Sequence, residues 1–336
     1  MSLERFLLRS DAGVEVELVA HGAAIEVVRA PDREGELADV TLRLDSDEAR
    51  LGHNPHMGIT VGRFANRIGG ARFALDGVEH HLDANEGDNV LHGGAGGFGK
   101  VTWDVADASA DSVTFRRISP DGEMGFPGRV EAEVRYSLDG ATVNIEFVAS
   151  TDAPTVVSMT NHAYWNLGGP TEATIDDHVV TLDASHVVPV DDQLIPEGAA
   201  VPVDGPLDLR AGVPLGPRIG FPLVNGYDHC FMVDGDGFRR HASVEHPASG
   251  RRLEVWSDQP AVQFYTGAFL DGPGGGGRTH GAYAALAIEP QHVPDAPNQS
   301  WAPSAVLRPG TPYRHRLALH LSTDSPPPSE IQGTRP

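Results

Sequence analysis

Thr160-Asn161-His162-Ala163-Tyr164-Trp165-Asn166-Leu167, near the middle of the chain, reads as one strand with two different faces. Counted from Val157, the odd positions Val157, Met159, Asn161, Ala163, Trp165 and Leu167 are mostly apolar. Ser158, Thr160, His162, Tyr164 and Asn166 are all polar. Successive side chains on a strand point to opposite faces, so a histidine, a tyrosine and an asparagine share one side of a sheet. Solvated strand faces usually carry Lys, Glu and Thr. A row of uncharged hydrogen-bonding groups around a central histidine suits the floor of a groove that holds a polar, uncharged ligand. A satisfied core or surface histidine fits the same stretch, and both readings stand at this point.

The rest of the chain extends the β reading. Phe6–Arg9 and Val14–Leu18 flank a turn at Ser10–Gly13, and Ala23–Arg29 and Thr41–Leu44 read as further strands. Asp76-Gly77 and Asp139-Gly140 are two-residue hairpin signals between alternating runs. Phe231–Val233 and His241–Glu245 flank Asp234–Gly237 as another hairpin, and Arg252–Trp256 leads through Asp258-Gln259-Pro260 into Val262–Ala268. Helical periodicity is weak: Asp45–Leu51 and Ser300–Val306 have room for a turn or two. The expectation is an all-β protein, a large antiparallel β-sandwich with few short helices. It forms one domain over 1–321, with a flexible loop at Asp271–Arg278 and a disordered tail at 322–336.

Bulk properties narrow the function. The 336 residues are 40% hydrophobic, enough for a sizeable core, and Gly 39 with Pro 26 suits many tight turns. A formal net charge of -22 argues against nucleic acid and anionic membranes as partners, since both need basic patches. The single cysteine, Cys230, rules out an internal disulfide and a Cys-rich zinc site, and suits a reducing compartment. The N-terminal apolar run is too short for a signal peptide, and nothing approaches the about 20 apolar residues of a membrane span. A cytoplasmic protein, monomer or homodimer, is expected.

Two more strands repeat the opening pattern. In Ala285–Gln291, Leu286 and Ile288 face the core, while Glu289 shares its side with Ala285 and Ala287, which leave room beside it. In Val262–Thr266, Val262 and Phe264 oppose Gln263 and Tyr265. Three strands with an apolar back and an amide, hydroxyl, imidazole or carboxylate front favour a ligand groove. Loops add the pair Asn66-Arg67, His92 before Gly93-Gly94, and Asp228 after Gly226-Tyr227. Arg63 reads as a structural partner.

In chain order, Gly62-Arg63-Phe64-Ala65-Asn66-Arg67-Ile68, Leu91-His92-Gly93-Gly94, Thr160–Leu167, Gly226-Tyr227-Asp228-His229, Val262–Gly267 and Glu289-Pro290-Gln291 resemble the aldose 1-epimerases (mutarotases). The likeness spans about residues 54 to 299. It implies the galactose mutarotase-like supersandwich with a sugar-binding groove and a monosaccharide substrate, an aldohexose of the galactose or glucose type. It further implies His162 as general acid and Glu289 as general base. Asn66, Arg67, His92, Asp228 and Gln263 would bind sugar hydroxyls, with Tyr164 beside them. Departures are small: His56-Met57 stands where relatives often carry an aromatic pair, and Ala163, Trp165 and Cys230 also differ from common forms. His56 is taken as structural.

The chemistry suits these residue types. Interconverting anomers means opening a hemiacetal: a base takes the C1 hydroxyl proton while an acid protonates the ring oxygen. No cofactor and no metal is expected. A glycosidase would need two carboxylates about the bond, for which Asp228 and Glu289 are the candidates. A non-catalytic carbohydrate-binding protein would keep the groove without needing Glu289. A hexose 6-phosphate epimerase would want a second arginine beside Arg67. A metal-dependent isomerase rests only on 16 scattered histidines.

Overall fold

The computed structural model describes residues 2–52, 55–219, 226–275 and 277–324. Its largest element is a nine-stranded antiparallel sheet. From one edge it runs Asp104–Ala108, Ser112–Ser119, Val130–Asp139, Thr142–Thr151 and Tyr313–Thr323. It continues through Arg251–Ser257, Arg239–His246 and Val179–Leu182 to Val213–Pro214. A six-stranded sheet runs Tyr164–Trp165, Leu286–Gln291, Ala261–Tyr265, Asp228–Val233, Ala184–Val187 and Val201–Pro202. A four-stranded N-terminal meander covers part of the same core.

Alternation drives the layering. Val130–Asp139 buries every second residue, and its partner Thr142–Thr151 does the same over most of its length, so Val134, Tyr136, Ile145 and Phe147 enter the core. There they meet Val255 and Leu319 of the same sheet and Val262, Phe264, Leu286 and Ile288 of the six-stranded sheet. The apolar backs predicted for the two groove strands therefore lie in the main core. The Asp76-Gly77 turn closes as read, with Leu75 paired to Val78; the other is shifted by one residue, since Asp139 still pairs with Thr142 and the loop is Gly140-Ala141, with Gly140 at φ 54°. Asp76 (φ 51°) and Gly77 (φ 81°) both take the positive φ that such a turn requires.

Several expectations give way. Thr160–Leu167 is two short strands, not one: Thr160–Asn161 pairs with Thr60–Val61, and Tyr164–Trp165 with Leu286–Ala287. The Asn161 side-chain oxygen accepts the Ala163 N–H at 3.1 Å, a local bond that takes this N–H out of the strand ladder between the two short strands. All eight residues are buried, so neither face is solvated. Asp234–Gly237 does not close a hairpin: the strand before it belongs to the six-stranded sheet and the strand after it to the nine-stranded one. A turn signal reverses the chain but does not choose the sheet it joins.

Thr41 makes only an isolated bridge to Trp165, and the strand there is Leu37–Asp39. Asp271–Arg278 is more than the flexible loop expected from its glycines: Gly272–Gly274 pairs with Arg278–His280. Asp47–Leu51 is a single helical turn, whereas 300–306 contains none. The last strand reaches Thr323, two residues into the expected tail, and 325–336 lie outside the described residues. Among the described residues no helix is long and apolar enough to cross a membrane.

Candidate active site

The order of the six-stranded sheet assembles the site. Its first four strands lie side by side and contribute Tyr164, then Glu289, then Gln263 and Tyr265, then Asp228. Gln263 is registered opposite Glu289, and Asp228 opposite Tyr265. The alanines beside Glu289 do not leave open space: Ala285 and Ala287 pack in a cluster with Tyr164, Leu270 and the half-buried Tyr265.

Loops form the facing wall. Arg67–Ile68 pairs with Val90–Leu91, which brings Asn66 onto His92. The two residues exchange bonds: the His92 N–H donates to the Asn66 carbonyl at 3.0 Å, and the Asn66 N–H donates to His92 Nδ1 at 3.2 Å. Both backbones are left-handed, φ 63° and 52°. Gly93 follows at φ +82°, where a Cβ would sit 2.0 Å from the Gly62 carbonyl oxygen, so only glycine fits.

A cavity of about 780 Å³ lies between these walls. His162, Glu289, Asn66, Arg67, His92, Tyr164 and Asp228 all line it, so seven of the eight residues singled out from the sequence converge there. The His162 Nε2 to Glu289 Oε1 distance is 3.5 Å, and both side chains are buried. Glu289 Oε2 and His162 Nδ1 are buried without a protein partner. Burial, reinforced by the negative charge of Asp228, raises the Glu289 pKa well above the usual carboxylate range. Burial lowers His162 to about 4. It also holds His92 well below the ordinary value, with His56 and His162 adding to the effect. Tyr164 is pushed up by burial and then by Tyr265, Glu289 and Asp228, so it stays a neutral phenol.

Arg67 is already engaged. Its Nε and Nη2 donate to the two Glu86 oxygens at 2.6 and 2.9 Å, and its Nη1 lies 4.0 Å from Asp228 Oδ2. The Asn66 side-chain oxygen accepts from the Arg67 backbone at 2.9 Å, which leaves the amide NH2 as the group Asn66 can offer a ligand. Gln263 is the eighth residue and is not on the cavity wall. Its Nε2 donates to Asp228 Oδ1 at 2.6 Å and holds that carboxylate. Asn166, on the expected groove face, instead braces the fold by donating to the Ala284 and Glu172 carbonyls. Arg63 is structural as expected, donating to Ser119 and to the Pro120 and Pro127 carbonyls.

Some wall residues were not foreseen. His56, read as structural, lines the cavity with its ring centroid 4.6 Å from His92 and 5.7 Å from His162. Glu86, Asp88, Asp192, Gln193, Leu194 and Phe269 also reach the wall, from loops without periodicity. Ligand atoms of His92, His162 and Glu289 lie within 4.8 Å of one another, a spacing that metals use. The donor chemistry does not fit a metal. His92 Nδ1 accepts the Asn66 N–H, so in the neutral ring Nε2 carries the proton and has no lone pair to give.

The aldose 1-epimerase family model matches residues 4–320. The galactose mutarotase of Rattus norvegicus is 42% identical over 96% of this chain and 94% of its own length. The aldose 1-epimerase of Escherichia coli K12 is 35% identical over 91% of each chain. The aldose epimerase homologue from C. elegans superposes with a TM-score of 0.91 at 30% identity, covering 96% of this chain and 99% of that one. With the sandwich, the cavity and this agreement over nearly the whole length, the chain belongs to the aldose 1-epimerase family.

Proposed function

We propose that this chain interconverts the α and β anomers of a free aldohexose of the galactose or glucose type, with His162 and Glu289 as the proton-transfer pair. The observation that carries this reading is the 3.5 Å His162–Glu289 contact at the buried wall of a cavity edged by Asn66, Arg67, His92 and Asp228. Glu289 takes the C1 hydroxyl proton while His162 gives a proton to the ring oxygen. The bond between C1 and the ring oxygen breaks and the aldehyde forms. Rotation about C1–C2 presents the other carbonyl face, and the ring closes with the two groups in exchanged roles. Two such groups contribute about 10²–10⁴-fold each.

The pair needs one shared proton. Burial alone favours the uncharged arrangement, with the proton on Glu289 and His162 neutral. Moving that proton to His162 makes the working imidazolium and carboxylate without changing the net charge. Sugar hydroxyls that hydrogen-bond to the pair favour this charged form. Adding a second proton removes the base, and removing the shared one removes the acid, so activity belongs to the singly protonated pair.

The other residues hold the sugar. His92 presents Nε2–H as a donor, because Nδ1 is occupied. Asn66 offers NH2, and Asp228, fixed by Gln263, accepts from hydroxyls. Fixing the ring hydroxyls while C1 turns is the main service such contacts give. Polarimetry on freshly dissolved α-galactose tests the proposal. Catalytic amounts of protein should accelerate the approach to equilibrium, and a rate equal to the spontaneous one contradicts it.

A further inference from the structure

Deepening that reading, and resting on it, we propose that the cavity selects sugars by charge: it admits neutral hexoses and cationic amino hexoses and turns away hexuronates and hexose phosphates. The charged groups on its wall are unbalanced. Glu86, Asp88, Asp192 and Asp228 face it, the His162–Glu289 pair with its shared proton is neutral overall, and Arg67 is the one Lys or Arg among the described lining residues. That guanidinium is not free to meet an anion. Glu86 occupies it bidentately, and its remaining nitrogen sits 3.5 Å from Asn66 Oδ1 and 4.0 Å from Asp228 Oδ2. His92 and His162 add no standing positive charge near neutral pH, because burial keeps both rings neutral.

An anionic substituent entering this space loses water and finds carboxylates. A buried charge without a partner is strongly unfavourable. An ammonium group meets the opposite situation. It brings three donors to a wall of acceptors, including Glu289 Oε2, which is buried and has no protein partner. Asp88 and Asp192 are exposed at the edge of the cavity, so they act on an approaching sugar before it desolvates. The net charge of -22 adds to the same field.

Galactose, galactosamine and galacturonate share one ring configuration and differ in charge, which makes them the probes. Their anomer equilibration is followed by polarimetry below the amine pKa, each corrected for its spontaneous rate. At low salt kcat/KM for galactosamine should at least match that for galactose and exceed that for galacturonate roughly tenfold or more. In about 1 M salt, where the screening length falls to about 3 Å, the gap should shrink. The double variant Asp88→Asn, Asp192→Asn should narrow it at low salt, and both side chains are exposed, so the fold does not depend on them. Equal treatment of galacturonate and galactosamine relative to galactose overturns the charge selection, as does a gap that neither salt nor the variant moves. Failure to accelerate galactose itself overturns the underlying reading, so the two failures are told apart.

Discussion

Two groups of histidines are buried in this molecule and differ in what surrounds them. His178, His241 and His315 sit among the strands. His178 Nε2 accepts the Leu167 N–H at 2.8 Å, His241 Nε2 donates to the Ser257 carbonyl, and His315 bridges the Met159 carbonyl and the Ser257 hydroxyl. His162 and His92 sit on a cavity wall, and His162 faces a carboxylate. Burial lowers the pKa in both groups: His178 and His241 to about 3, His315 and His162 to about 4. A depressed histidine pKa therefore does not mark chemistry here. The distinguishing features are access to a cavity and an acidic partner whose own pKa moves the other way.

The largest expected effect separates the groups directly. Glu289→Gln or His162→Gln should lower kcat by about 10²–10⁴-fold without lowering the melting temperature. His178→Leu should do the reverse. Losing the acceptor of the Leu167 N–H costs about 1–3 kcal/mol, seen as a lower melting temperature, while kcat stays within a few-fold. If His178→Leu abolished turnover in a folded protein, the division would be wrong.

The pH dependence sharpens the same contrast. The rate should follow a bell whose acid limb lies near the His162 value of about 4 and whose alkaline limb lies above the ordinary carboxylate range, because Glu289 is raised. Asp228 helps to raise Glu289, so Asp228→Asn should move the alkaline limb to lower pH and raise KM. A limb that stays in place would remove Asp228 from that role.

Stability should respond differently. His178, His241, His292 and His315 have folded-state values of about 3 to 4, below the 6.5 of an ordinary imidazole. Between these values the unfolded chain binds more protons, so stability falls as pH drops below about 6.5, by about 1–2 kcal/mol per group at about pH 5. Denaturant melts at stepped pH check this, and a stability flat from pH 7 to about 5 would contradict it. The smallest effect on activity is expected at Asn166, whose amide braces two carbonyls outside the site. Asn166→Ala should cost about 1–3 kcal/mol of stability and leave KM unchanged.

Much of this was legible in the sequence, for definable reasons. Asp76-Gly77 specifies its turn locally, Gly140 marks the second turn to within one residue, and strict alternation specifies which face of Val130–Asp139 is buried. His162 and Glu289 were legible because each interrupts the expected composition of a strand face. The Asp234–Gly237 crossover was not, since the choice of sheet depends on packing far along the chain. The break between Thr160–Asn161 and Tyr164–Trp165 was hidden because the Asn161 side chain takes the Ala163 N–H away from the ladder. His56, Glu86, Asp192 and Phe269 reach the cavity from irregular loops, where no period exists to place a side chain. Gln263 was assigned to the right strand and the right neighbours, but its amide spends its bond on Asp228.

The central claim is that His162 and Glu289 act as one unit on one shared proton. A double-mutant cycle on galactose equilibration tests it most directly, comparing His162→Gln, Glu289→Gln and the double variant. The double variant should be about as slow as either single one, because removing one partner already disables the pair. Losses that multiply, with the double variant slower than each single by the full product, would show that the two side chains act independently and would contradict it.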